Sequence, residues 1–162
     1  MGLSSHEFHP FEPVFDSHSR VLILGSFPSV RSRETGFYYG HPQNRFWHVL
    51  SALYDEVFPV GNDSRRELVL RHGIALWDAI ESCDIVGSSD ASIRNAVPSH
   101  ISPLLVDTSI RRIFCNGRRA FDLYNQYCAS ETGMSAILLP STSAANAAWS
   151  LEKLKEVWSI IL

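Results

Sequence analysis

Four short apolar runs, each leading into small or polar residues, constrain this chain more than any other feature. They read "VLILGSF" (21–27), "IALWDAI" (74–80), "IRRIFCNG" (110–117) and "SAILLPSTS" (135–143). The first has no polar alternation, which suits a strand covered on both faces, as in a parallel sheet. Between the runs lie segments with helical spacing. In "RFWHVLSALY" (45–54), Phe46, Val49, Leu50 and Leu53 share one face, and Asn44 stands where an N-cap belongs. "SRRELVLRHG" (64–73) stops on Gly73. "ISPLLVDT" (101–108), "RRAFDLYNQYCA" (118–129) and the amphipathic "AWSLEKLKEVWSII" (148–161) supply further helices. Residues 81–100, rich in Ser, Asp and Asn, read as a loop with short helical turns, and 1–19 as an irregular arm. This alternation predicts an α/β fold: a three-layer α/β/α sandwich around a mostly parallel four-stranded sheet, one domain over 20–162. The length of 162 residues suits a single core.

In such sheets ligands sit beyond the carboxyl ends of the strands. The four exits are "GSFPS", "WDAIESCD", "CNGRR" and "LPSTSAAN". From the first hangs "GFYYGHPQNRFW" (36–47), where aromatic rings crowd around His41, Asn44 and Arg45. Flat rings with an amide suit a planar heterocycle. Ser and Thr hydroxyls and helix N-termini suit phosphates without requiring net charge. Together they suit a nucleobase turned out of a duplex.

Other chemistries are poorly supported. The chain has no G-x-S-x-G elbow, no P-loop and no G-x-G-x-x-G fingerprint. Its three cysteines are far apart, with no C-x-x-C, so neither a disulfide framework nor a cysteine metal site is expected. His6, His9 and His18 lie in the arm, but H-x-x-H alone fixes too few metal ligands. No metal and no cofactor is expected. A net charge of −3 argues against coating nucleic acid by charge alone, though a local basic patch is allowed. No apolar run reaches the roughly 18–20 residues that span a bilayer, and the N-terminus does not read as a signal peptide. The expectation is a soluble, intracellular, cytoplasmic monomer without an obligate protein partner.

At "LILGSFP", "GFYYGHPQNRFW" and "LPSTSAAN" the chain resembles the uracil-DNA glycosylase superfamily, and within it the hypoxanthine-DNA glycosylase family. The "TGF…HP…NRFW" string is also similar to the mismatch-specific uracil glycosylase branch. The resemblance covers roughly residues 20–160. Many branches carry Asn or Asp two residues after the Gly of the first motif; Phe27 stands there in this chain. That departure is the hypoxanthine family's pattern, and it implies that the polar role moves to Asn44. The resemblance implies a base-binding set of Gly25, Ser26, Phe27, Tyr39 and Phe46, with Tyr39 as the stacking ring. It further implies DNA contacts from Ser141, Thr142, Ser143 and Asn146, with Ser29 and Arg31 on the other side. The implied substrate is DNA containing a deaminated base, chiefly hypoxanthine. A carboxamide, rather than an acid, metal or amine, would assist the base's departure.

Simpler roles compete for several of these residues. Asn44 reads equally as a helix cap, and both roles can coexist. Trp47 reads as core, Phe37 and Tyr38 as cover for the sheet edge, and His41-Pro42 as a turn. Trp77-Asp78 reads as structural, and Arg118 and Arg119 as phosphate contacts or a solvated rim. The competing functions are a uracil or mixed-specificity glycosylase and a non-catalytic module that binds a nucleobase or nucleotide. Only Lys153 and Lys155 are lysines, both on the last helix. A glycosylase that also nicks the strand needs an amine, so the expectation is a monofunctional enzyme.

Overall fold

A computed structural model of the chain describes residues 2–162. In chain order its elements are β1 (Ser5–Phe8), β2 (Val21–Gly25), α1 (Val30–Thr35), α2 (Phe46–Leu53), α3 (Asn62–Arg71), β3 (Ile74–Asp78), β4 (Ile80–Ile85), β5 (Arg94–Pro98), α4 (Ser102–Val106), β6 (Arg112–Asn116), α5 (Arg118–Tyr127), α6 (Ala129–Thr132), β7 (Ala136–Leu139) and α7 (Leu151–Trp158). Four strands form a fully parallel sheet in the order β3-β2-β6-β7. Strand β2 is central, and Val21 to Leu24 are wholly buried. Val21, Ile23, Ile74 and Leu76 face Phe46, Trp47, Leu50, Leu68 and Trp158 from α2, α3 and α7. Leu22, Leu24, Ala75 and Ile113 face Leu104, Ala120 and Tyr124 from α4 and α5. Each fully buried side chain of this size contributes about 1.5–3 kcal/mol, so the sandwich is held from both faces of the sheet.

Two expectations need correction. Residues 81–100 are not simply loop: β4 and β5 pair antiparallel there, and only 90–92 form a 3-10 turn. Nor is the N-terminal segment irregular throughout. Strand β1 pairs antiparallel with β4, from Ser5↔Ile85 to Phe8↔Ser82, which completes a second sheet of order β1-β4-β5. Both small strands satisfy backbone groups that β4 would otherwise leave open at an edge. The pairing continues past β1, where His9 N donates to Glu81 O at 2.8 Å. It therefore delivers His9 to the carboxyl end of β3.

Candidate active site

The carboxyl ends of β2, β3 and β6, together with the loops after β2 and β7, enclose a cavity of about 320 Å³, near the lower bound for small-molecule sites. Its lining includes Gly25, Ser26, Phe27, Ser29, Tyr38, Tyr39, Asn44, Asp78, Asp90, Asn116, Ser141, Thr142 and Ser143.

Asn44 is held by a relay. Asn116 Nδ2 donates to Thr142 Oγ1 at 3.0 Å, and Thr142 Oγ1 donates to Asn44 Oδ1 at 2.8 Å. Phe46 N also donates to Asn44 Oδ1, at 2.9 Å. A backbone N–H can only donate, so this contact fixes which amide atom is oxygen. Both lone-pair positions of Oδ1 are then occupied. Nδ2 has no hydrogen-bond partner among the described residues, so the amide offers the cavity a donor. The N-cap of α2 is Arg45, one residue later than expected, and it makes no side-chain cap bond; Asn44 still steadies the first turn by accepting from Phe46 N while its amide faces the cavity.

The ring wall is narrower than expected. Tyr39 lines the cavity and stacks on Phe46 at 4.0 Å between centroids. Phe46 itself is fully buried and does not line the cavity; it backs the Tyr39 ring. Phe37 and Trp47 are likewise core, stacked at 6.0 Å, and Trp47 Nε1 ties to Tyr38 O at 3.1 Å. Tyr39 has φ of +54°, a left-handed conformation that a bulky residue adopts at a cost of about 1–3 kcal/mol. That bend turns the ring inward. Tyr39 Oη is buried without a hydrogen-bond partner among the described residues. Burial, reinforced by the Asp78 carboxylate and opposed by the Asn116 amide, raises this phenol far above its ordinary pKa. It stays a protonated donor.

Two carboxylates, Asp78 and Asp90, reach the cavity besides Asn44. Ser26 Oγ donates to Asp90 Oδ1 at 2.7 Å, and desolvation by burial pushes the Asp90 pKa up. Asp78 is 3 % exposed and pairs through Oδ2 with His9 Nε2 at 2.7 Å. Asp78 is thus paired, as a structural residue would be, and it also stands on the cavity wall. A Cβ on Gly25 would collide with Asp78 Oδ1, so only glycine fits there. Gly25→Ala is expected to destabilise the fold by about 1–3 kcal/mol through overpacking and to cut cavity-dependent activity more than roughly tenfold. Thermal melts and turnover check both.

The loop after β7 separates the expected DNA contacts. Ser141 and Ser143 border the cavity. Thr142 is fully buried and spends its hydroxyl on the relay, so it is unavailable to a phosphate. Asn146 lies outside the cavity, in an adjoining groove with Arg118 and Trp149, and its amide donates to Ser141 O at 3.0 Å. Ser29 caps α1 by accepting from Ser32 N at 3.1 Å, and lines the cavity. Arg31 is exposed beside Glu34 and does not reach the cavity. Arg45, which the sequence reading left unassigned, clamps the loop: its guanidinium donates to the carbonyls of Thr142, Ser143, Asn146 and Trp149. Among the described residues no group of three or more His, Cys, Asp or Glu is placed to hold a metal ion. His6 and His9 pair with Asp84 and Asp78 instead.

A model of the Uracil DNA glycosylase superfamily matches residues 12–161. The chain belongs to this superfamily. Within reach of it lies a relative from Methanosarcina barkeri named hypoxanthine DNA glycosylase, 30 % identical over 151 residues, spanning 92 % of this chain and 94 % of the relative. One of the same name from Methanosarcina acetivorans is 29 % identical over 153 residues, spanning 93 % and 95 %. The solution NMR structure of a Methanosarcina acetivorans protein, described as a candidate uracil DNA glycosylase, superposes with a TM-score of 0.77 at 29 % identity. The alignment covers 93 % of this chain and 96 % of that one. The superfamily's α/β/α sandwich is the fold described above. No helix among the described residues is long and apolar enough to cross a membrane.

Proposed function

We propose that this protein is a monofunctional DNA glycosylase that excises a deaminated base, hypoxanthine foremost, and leaves an abasic site. The observation that carries this reading is the relay that pins Asn44 by its oxygen and leaves the amide N–H₂ facing a base-sized cavity beside Tyr39. The two relatives named hypoxanthine DNA glycosylases support the purine assignment.

In this mechanism the target nucleotide swings out of the duplex. Its base enters edge-on to the hydroxyl of Tyr39, whose ring Phe46 braces from behind, with Phe27 as a wall. Bond cleavage passes through an oxocarbenium-like sugar while negative charge accumulates on the departing base. A fixed donor aimed at that charge lowers the barrier without reorganising. Asn44 Nδ2 is such a donor; its oxygen, already doubly engaged, is not free to accept from water. This refines the expectation that Asn44 either bonds the base or positions the nucleophile: it favours the base. Ser141 and Ser143, and Ser29 opposite, contact the flanking phosphates, and Asn146 and Arg118 follow the strand along the adjoining groove. The protein acts as a single domain and a monomer, inside the cell where its DNA is.

Among the described residues no lysine lines the cavity, and Lys155 is paired with Glu152 at 3.2 Å on α7. Duplexes carrying hypoxanthine, xanthine or uracil, incubated with protein and then alkali, are expected to break chiefly at hypoxanthine. Without alkali they stay intact, and borohydride captures no protein–DNA adduct. Cleavage confined to uracil, or binding without cleavage, overturns the hypoxanthine assignment; an adduct overturns the monofunctional one.

A further inference from the structure

The buried pair His9–Asp78 and the unpartnered Tyr39 hydroxyl belong to one wall of the cavity, and the mechanism above uses none of the three polar groups. Asp78 Oδ2 is occupied by His9 Nε2 at 2.7 Å. His9 is 1 % exposed at its side chain and sits among aromatic rings, with Trp77 at 4.5 Å and Phe11 at 4.6 Å between centroids. Its Nδ1 has no partner among the described residues. Its Nε2 faces a carboxylate oxygen, which can only accept, so Nε2 carries the hydrogen of that contact. His9 thus holds one carboxylate oxygen and cannot rotate away, because strand β1 fixes its backbone to β4.

Asp78 Oδ1 has no hydrogen-bond partner among the described residues and faces the open side of Gly25. Tyr39 Oη lies 3.2 Å from the position a Gly25 Cβ would take, on the same side. A carboxylate oxygen and a protonated donor therefore both border the space at Gly25, and neither has a hydrogen-bond partner among the described residues. The Tyr39 hydroxyl, buried without a partner, costs about 1–3 kcal/mol, and with a free carboxylate oxygen beside the same Gly25 it marks a ligand edge.

Resting on the glycosylase reading, the geometry points to Asp78 and Tyr39 as the pair that reads the lactam edge of the base. Asp78 Oδ1 accepts the N1–H of hypoxanthine, and Tyr39 Oη donates to its C6 carbonyl. His9 is the positioning residue that presents Asp78. Adenine offers the reverse order, a lone pair at N1 and an amino group at C6. With the sugar held at the cavity mouth, its lone pair then faces the carboxylate. Guanine presents the same N1–H and C6 carbonyl, so this pair of contacts does not separate it from hypoxanthine. The wall thus distinguishes a deaminated adenine from adenine itself.

The test compares single-turnover excision of hypoxanthine with that of unsubstituted purine, which keeps the bicycle but lacks both the N1–H and the carbonyl. Intrinsic leaving-group differences cancel when the ratio in a variant is divided by the ratio in the parent. Asp78→Asn turns the free atom from acceptor to donor, and should lower the hypoxanthine-to-purine ratio by about 10- to 150-fold. Tyr39→Phe lowers it in the same direction. For His9, His9→Leu lowers the ratio while His9→Gln, whose amide can replace Nε2–H, restores most of it; a merely structural role would not separate these two. A ratio unchanged within threefold in folded Asp78→Asn sinks the proposal and leaves the glycosylase reading standing. A parent that excises neither base sinks both. Should Asp78→Asn not fold, titration of the parent with free bases decides: tenfold tighter binding of hypoxanthine than of purine supports the assignment, and equal binding overturns it.

Discussion

Asn44→Asp is expected to lower base excision by roughly 1000-fold or more while leaving the melting temperature nearly unchanged. The two halves of this expectation come from different atoms of one side chain. Asp retains an oxygen that can accept from Phe46 N and Thr142 Oγ1, the contacts now at 2.9 and 2.8 Å, and Asp is as good a helix cap as Asn. What it loses is Nδ2. In place of a donor aimed at the departing base it presents a second oxygen, which repels the charge that develops there. Loss of one such donor costs about 100- to 1000-fold in other enzymes, and the new repulsion adds to that. Asn44→Ala removes donor and cap together. It should lose about 100- to 1000-fold in rate and about 1 kcal/mol in stability. The order of the two variants discriminates between mechanisms. If Asn44 instead handled water through an acceptor, Asp would preserve or raise the rate and Ala would be the worse of the two. Single-turnover rates of both variants at saturating protein, with thermal melts alongside, decide it.

The same side chain shows what could be read from the sequence and what could not. Asn44 was legible because it combines a local signal, a cap before an apolar helical face, with a place on the loop after β2. The parallel sheet was legible for a similar reason: Val21 to Leu24 form an unbroken apolar run, and both faces of it are buried. Strands β4 and β5 were not. In "RNAVP" most residues are exposed or half-buried, and the strand ends on a proline. The pairing of β4 with β5 is further broken by register shifts. Strand β1 is four largely exposed residues whose only reason to be extended is a partner about eighty positions away. The missing members of the site share this cause. Asp78 and His9 are 69 positions apart, and neither carries a local motif. Asp90 gave no signal in a Ser- and Asp-rich stretch. Phe46 was placed in the cavity because its neighbours in the sequence are there, but helical geometry turns it to the core side, where it meets Trp158.

Arg45 is the residue next to Asn44, and its replacement should have the other large effect. Its side chain donates to carbonyl oxygens spread over eight residues of the loop after β7: Nε reaches Thr142 O at 3.4 Å, Nη2 reaches Ser143 O at 2.9 Å and Asn146 O at 3.1 Å, and Nη1 reaches Trp149 O. A planar fork with five N–H groups can serve four carbonyls at once; an ammonium cannot match that spread. These contacts fold the loop so that Thr142 meets Asn44 and the serines face the cavity. Arg45→Ala should therefore cost about 3 kcal/mol, or about 6–12 °C in melting temperature for a chain of this size. Arg45→Lys should recover only part of that. Excision should fall further than stability predicts, because a loosened loop also releases the hydroxyl that pins the Asn44 amide. Hydrogen exchange would show the loss locally, with the amides of 141–149 exchanging faster and those of β2 unchanged. An Arg45→Ala protein that melts with the parent and keeps this loop protected would show that the clamp is not what shapes the site.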